Sequence, residues 1–394
     1  MRKLLKLILC FLSFVSIGQN GEEIENSRLY SGRSVNSLGS TFKTGKIKRS
    51  NFFFIESPTA KKVKIKYPEL KWATNTVSLG EDFFFLNRDS KDFQNIEYSI
   101  VMVNSRGQNP IKTPIVKAHE EGSRYMRGPT PGSMQLAFEW GTQILKSDNE
   151  KYIAVAVSKG INSNYYELSR YSGEKIYKKY GEQTEKFYMG VIDNKLNVLR
   201  KGTYDLGILR NEIKYTVQHV DNYGNYFIFV KKVQVFKNKA NEAYLIKIPP
   251  NDDPITKKIN LEKYNLSHDN VVFKGDSLFI YGAVKDLEKG KIRGLYSGIV
   301  NLKNFKVDGF VSKFSQEYID WFNERYGFKK GLDYVAKFYR SRLKINYKGD
   351  LVYYKNYGSR DRKVDDVQLY KSEDLYVFKL DYVSKQIKIF IESN

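Results

Sequence analysis

Residues 213–230 read "IKYTVQHVDNYGNYFIFV". Apolar and polar side chains alternate through 213–220, a polar turn follows at 221–225, and a second run at 226–230 has no polar break. Alternation of this kind predicts a β-strand, and Gly and Asn suit the positive-φ positions of a tight turn, so the segment reads as a β-hairpin. The same shape recurs: "VSLGEDFFFL" turns at Gly80, "LKSDNEKYIAVAV" at Asn149, "VVFKGDSLFIYG" at Gly275 and "LKINYKGDLVYYK" at Gly349. The turns at 80, 149, 224, 275 and 349 are therefore 69, 75, 51 and 74 residues apart.

A further strand marked by a tyrosine follows each turn, at Tyr98, Tyr166, Tyr244, Tyr296 and Tyr376, and most of these run on into one more short strand. Four short strands in series, repeated, are the signature of an all-β, β-propeller-like array of four-stranded antiparallel blades. A four-stranded blade cannot bury both faces alone, and stacking against other blades covers them. Five copies are visible and a degenerate one is expected at 40–67, which makes about six blades. "MGVIDNKLNVLRK", 189–201, reads as an additional strand–turn–strand outside that count. The 30 Tyr and 25 Phe suit pleated, half-buried surfaces and are assigned to packing between blades.

Two stretches interrupt the β pattern. A short helical insertion is expected near 315–340: Phe314, Tyr318, Phe322 and Tyr326 recur at helical spacing, with Ser315 as N-cap and Gly327 as stop, and a second short helix is expected over 332–340. Residues 104–140 hold four of the nine prolines and read as a long irregular connection. Such connections often carry function, and Arg106, His119, Arg124, Tyr125 and Arg127 make this one the candidate ligand loop for an anionic or glycan ligand.

The first 18 residues change where the chain is placed. Arg2, Lys3 and Lys6 precede an apolar run at 7–17, and Ser16 and Gly18 put small side chains at −3 and −1 for cleavage before Gln19. This is the pattern of a secretory signal peptide, too short for a membrane span. The expectation is an exported protein, periplasmic or extracellular, with 19–394 as a single propeller-like domain and no membrane span after signal removal. The one cysteine, Cys10, lies inside the signal, and the bulky Leu9 before it does not suit lipidation. The mature chain then offers no disulfide, thiolate ligand or thiol nucleophile.

The formal charge is +22, about +19 without the signal. Export sets nucleic acid aside and leaves acidic polysaccharide or lipopolysaccharide phosphate as polyanions to consider. A lysine-rich surface that keeps a β-rich protein soluble and blunts its strand edges accounts for the same charge. No catalytic constellation stands out. His119, His219 and His268 are isolated, and "GLYSG", 294–298, lacks the spacing of a nucleophile elbow. "DNYGN" and "NDDP" lack the alternating oxygen ligands of a calcium loop and read as turns. No cofactor or metal is implied.

The signal ending "SIGQN", "VIDNKLNVLRKGTYDL" leading to "VDNYGN", "GLYSGIV" and "DDVQLYKSEDLYVFKLD" resemble exported propeller-like repeat proteins of the Bacteroidota, over most of the chain from about residue 145. The resemblance implies the cell envelope and a propeller-like fold; it implies no activity and transfers no functional residue. The sequence therefore reads as an envelope protein that binds or scaffolds through one propeller face, with an envelope protein or an anionic glycan as partner. The alternative is a secreted glycan-active enzyme, a glycosidase or lyase, for which Trp72, Trp140 and Trp321 are available for sugar stacking but no acid pair stands out among 44 Asp and Glu. An outer-membrane β-barrel is a third reading, opposed by the irregular strand spacing, the helical insertion and the lysine content.

Overall fold

The computed structural model describes residues 28–47, 50–56, 63–66, 73–89, 95–106, 110–119, 125–127, 134–136, 138–161, 183–232, 242–259, 265–286, 291–325, 327–336, 343–345, 351–354, 375–381 and 386–392. The signal segment, Cys10, Arg124, Tyr166 and the Gly349 turn lie outside them. Among the described residues the strands form six four-stranded antiparallel sheets and one two-stranded ribbon. Every four-stranded sheet is a meander in chain order. The first holds β1 (Arg28–Val35), β2 (Thr41–Ile47), β3 (Ser50–Glu56) and β4 (Val63–Lys66). The second holds β5 (Ala73–Leu79), β6 (Asp82–Arg88), β7 (Asn95–Val103) and β8 (Ile111–His119). A ribbon of β9 (Tyr125–Arg127) and β10 (Met134–Leu136) leads to the third, with β11 (Phe138–Lys146), β12 (Tyr152–Ile161), β13 (Thr184–Asp193) and β14 (Val198–Leu209). The fourth holds β15 (Ile213–Val220), β16 (Tyr226–Lys232), β17 (Ala243–Ile248) and β18 (Ile255–Ile259). The fifth holds β19 (Asn265–Lys274), β20 (Ser277–Lys285), β21 (Ile292–Asn301) and β22 (Val307–Lys313), and helix α1 (Gln316–Arg325) follows. The sixth holds β23 (Leu343–Ile345), β24 (Leu351–Tyr354), β25 (Leu375–Asp381) and β26 (Gln386–Glu392).

The first five sheets are packed face to face in chain order, in a propeller-like arrangement, and side-chain alternation shows how. In β16, Tyr226, Ile228 and Val230 enter a core shared with the third sheet, while Phe227 and Phe229 enter one shared with the fifth. In β12, Ala154 and Ala156 face the fourth sheet, and Ile153, Val155 and Val157 face the second. In β6, Phe84 and Leu86 face the third sheet, and Phe83 and Phe85 meet Phe42 of the first. The Phe42 ring lies 5.3 Å from that of Phe83 and 5.4 Å from that of Phe85. Each of these strands is buried on both faces, so its run carries no polar break; a fully buried Phe side chain contributes about 1.5–3 kcal/mol.

Burial is graded across the third and fourth sheets. First strands such as β15 are mostly half-buried, second strands such as β16 almost wholly buried, and fourth strands such as β14 and β18 largely exposed. The first strands also neighbour one another, β1 against β5, β5 against β11 and β11 against β15. They form the inner column of the stack, and the fourth strands form its outer edge. That edge carries Lys112 and Lys117 on β8, Arg200 and Lys201 on β14, and Lys257 and Lys258 on β18. Basic side chains on these exposed strand edges oppose pairing with another chain.

Several expectations change. The degenerate repeat begins at Arg28, earlier than 40–67, and its first turn is "NSLGS", 36–40, with Gly39 at φ 73°. Segment 189–201 is no additional element: it is the β13–β14 hairpin of the third sheet, whose third strand is β13. The helix matches in position. Ser315 Oγ accepts the Tyr318 N–H at 3.2 Å, and Gly327, at φ 76°, donates its N–H to the Glu324 carbonyl at 3.0 Å. The second helix is absent from 332–336, where Val335 instead bridges Ile292 of β21; 337–340 lie outside the described residues. Asn323, fully buried, fixes this strap by donating to the Tyr334 carbonyl at 2.9 Å and accepting the Ala336 N–H at 2.9 Å.

Gly190 of β13 lies at a close approach of the second and third sheets: a Cβ there would lie 2.3 Å from Ile115 Cγ1. Gly190→Ala is expected to destabilise the fold by about 1–3 kcal/mol through overpacking. Adding Ile115→Ala should recover part of that loss in a double-mutant cycle by chemical denaturation. Strictly additive losses would show that the two sites are not in contact.

Candidate functional site

A meander places its first and third turns at one end of a sheet, and its second turn and the connection to the next sheet at the other. We call these the turn end and the linker end. At the turn end the sequence "DNYGN" is built around Asp221. Its Oδ1 accepts the N–H groups of Tyr223 and Asn225 at 2.9 Å each, its Oδ2 accepts Asn225 Nδ2 at 2.7 Å, and Gly224 supplies φ 79°. "DNKLN", 193–197, repeats the pattern: Asp193 Oδ1 accepts from Lys195 at 2.8 Å and Asn197 at 2.9 Å. Burial acts to raise the Asp193 carboxyl, but the hydrogen bonds from Asn197 and Lys195 outweigh it and hold the group below its usual range.

The first turns of consecutive sheets are bonded to one another. Ser37 N–H donates to the Gly80 carbonyl at 2.9 Å, and Gly80 N–H donates to Glu150 Oε2 at 2.9 Å. Asn149 N–H donates to Asn222 Oδ1 at 2.8 Å, and Asn149 Nδ2 to the Asn222 carbonyl at 3.1 Å. Gly275 N–H donates to Asp148 Oδ2 at 3.1 Å, a bond from the fifth sheet to the third that passes over the fourth. Five turns thus meet as a collar around the inner column. Beneath it, His219 of β15 stacks on Phe273 at 4.8 Å and 10°. Burial lowers the imidazole pKa, and the charges of Asp148 and Asp221 only partly offset this. The ring is a packed histidine, as expected from its place on the strand.

The linker end differs in kind. No turn-end connection exceeds seven residues, whereas the linker end carries connections at 120–137, 162–183, 233–242, 314–342 and 355–374. This asymmetry separates the residues of the candidate ligand loop. Arg106 lies in the β7–β8 turn at the turn end, its N–H donating to Asn104 Oδ1 at 3.1 Å. His119 ends β8 at the linker end, exposed, with Nδ1 2.6 Å from Asn95 Oδ1. The nine residues of β8 keep the two roughly 25 Å apart. Tyr125 and Arg127 lie on β9, in the same linker-end connection that follows His119. Among its described residues, segment 104–140 is mostly β8, the ribbon and the start of β11.

A second feature lies on the flank. A cleft of about 710 Å³ opens between β7–β8 of the second sheet and β13–β14 of the third. Ile115 and Tyr188 form part of its apolar floor, and Lys112, Lys117 and Lys201 are among its lining residues. Asp89 sits at its edge and accepts from Asn87 Nδ2 at 2.9 Å, Ser99 Oγ at 3.1 Å and Lys112 Nζ at 3.2 Å. Glu97 pairs with Lys117 at 3.0 Å. No local sequence signal marked this cleft, because its walls come from strands about 90 residues apart. Among the described residues no helix is long and apolar enough to cross a membrane, and no cluster of three or more His, Cys, Asp or Glu has the geometry to hold a metal ion.

No family model and no curated protein matches the chain. Among solved structures it is similar to a Penicillium chrysogenum alpha-L-arabinanase complexed with arabinobiose, at 12% identity and TM-score 0.33, over 72% of this chain and 93% of that one. It is also similar to a Synechocystis apocarotenoid oxygenase, at 7% identity and TM-score 0.35, over 73% and 62%. Kuenenia stuttgartiensis hydrazine synthase is similar at 10% identity and TM-score 0.33, over 92% and 83%. Likeness at this level carries no function across, and the architecture stands on strand order and shared cores.

Two predictions concern the collar. Asp221→Ala removes an acceptor of three hydrogen bonds and should lower stability by about 1.5–3 kcal/mol in chemical denaturation. His219 has a folded-state pKa below its ordinary 6.5, so the unfolded chain binds the proton more readily and stability is lost as pH falls below that value. Denaturation midpoints at pH 7.5 and 5.5 should differ in the wild type and differ less in His219→Phe.

Proposed function

We propose that this chain is an exported envelope protein whose residues 19–394 form one six-bladed propeller-like domain, and that it binds a partner with its linker end. One observation carries this reading. The turn end is a collar of short, mutually bonded turns, while every connection longer than seven residues leaves from the linker end. A rigid scaffold with long connections on one face is a common arrangement for recognition. The segments at that end include charged and aromatic residue types suited to an envelope protein or an anionic glycan, among them His119, Tyr125, Arg127, Lys329 and Lys330. Export rests on the basic, apolar and small-residue pattern of 1–18.

The test is capture from envelope and polysaccharide fractions by immobilised mature protein at low and high salt. A Tyr125→Ala/Arg127→Ala variant alters the linker end, and a Leu38→Ala/Tyr223→Ala variant alters exposed apolar side chains of the collar. Capture by the wild type and the collar variant should survive high salt, and the linker-end variant should lose most of it. Loss in the collar variant alone would sink the proposal. Capture that vanishes at high salt in every protein would show that screened net charge acts without a site.

A further inference from the structure

We propose that the flank cleft between the second and third sheets binds a singly charged sugar acid, a uronic-acid ring, independently of the linker end. Its volume, about 710 Å³, is in the range of small-molecule sites. Three lysines and two carboxylates line it. Lys112 is paired with Asp89 at 3.2 Å and Lys117 with Glu97 at 3.0 Å. The Lys201 ammonium has no ion pair or side-chain hydrogen bond among the described residues, so the lining carries one uncompensated positive charge. That balance suits a monoanion. A phosphate or nucleotide, carrying more charge, calls for several free cations or a nest of backbone N–H groups.

The rest of the lining distinguishes a sugar acid from other monoanions. Ile115, Val116 and Tyr188 offer an apolar surface to the C–H face of a ring. Thr203 of β14, paired with Tyr188, places a hydroxyl on the third-sheet wall, in reach of ring hydroxyls. A fatty acid would leave these polar walls unpaired. The site is also preorganised. Asp89 holds Ser99 and Lys112 together, and the contact of Ile115 with Gly190 fixes the distance between the walls.

The test is calorimetric titration of mature protein with methyl glucuronide, methyl glucoside and inorganic phosphate. The first two differ only in the carboxylate. Methyl glucuronide should bind saturably and at least about tenfold more tightly than methyl glucoside or phosphate. Lys201→Ala should weaken glucuronide by about tenfold, leave glucoside unchanged and so abolish the discrimination, while Lys201→Arg retains it. Thr203→Val should weaken both sugars. Absence of saturable glucuronide binding, equal affinity for phosphate, or full affinity in Lys201→Ala at unchanged circular dichroism would each overturn the proposal. The linker-end variant should bind glucuronide normally, which keeps this result separate from the capture experiment.

Discussion

The structure depends on the burial of second strands on both faces. β6, β12 and β16 each send alternate side chains into the cores on either side, so no inner sheet covers itself. Each needs two neighbours, and the neighbours need theirs. The gradient from half-buried first strand to exposed fourth strand follows from stacking such sheets by their inner strands. The exposed strand is then an edge, and edges invite pairing, which is where Lys112, Lys117, Lys201, Lys257 and Lys258 stand. At these positions the positive charge serves the architecture and is no sign of a polyanionic partner.

The two ends of the stack divide the work. At the turn end, acidic and amide side chains are consumed in closing five-residue loops and in joining one loop to the next. Asp193 and Asp221 serve backbone N–H groups, so carboxylates that resembled fragments of a calcium loop are turn acceptors. The linker end is free of that requirement and accommodates the ribbon and the helix. There Arg293 ties the helical strap to the fifth sheet through Asp286 and Asp333, both at 2.7 Å.

The legible part of the sequence was local. The turns at Gly80, Asn149, Gly224 and Gly275 announced themselves because the strand on each side and the positive-φ residue lie within a dozen positions. "NSLGS" went unread because β1, "RLYSGRSV", is polar and bulged, so only one flank of its turn looks like a strand. β13 was misassigned because a long connection, 162–183, separates it from β12 and a tyrosine inside that connection imitated the marker of a third strand. Segment 104–140 looked irregular because prolines suggest loops, yet Pro114 sits within β8, the outermost strand of its sheet, where a missing N–H costs no ladder bond. The flank cleft and the collar could not be read at all. Asp148 and Gly275 lie 127 residues apart, and only stacking brings them together.

That bond also bears on how the molecule comes apart. In a linear array of repeats each unit feels only its nearest neighbours, so fraying can start at a terminus and halt at any interface. The Asp148–Gly275 contact adds a coupling between next-nearest neighbours and spans the fourth sheet. Opening the fourth sheet then strains the third and fifth together. Sheets three to five acquire the cooperativity of one unit, with a stability set by their sum, while the outlying sheets keep the graded, end-first behaviour of a chain of separate parts.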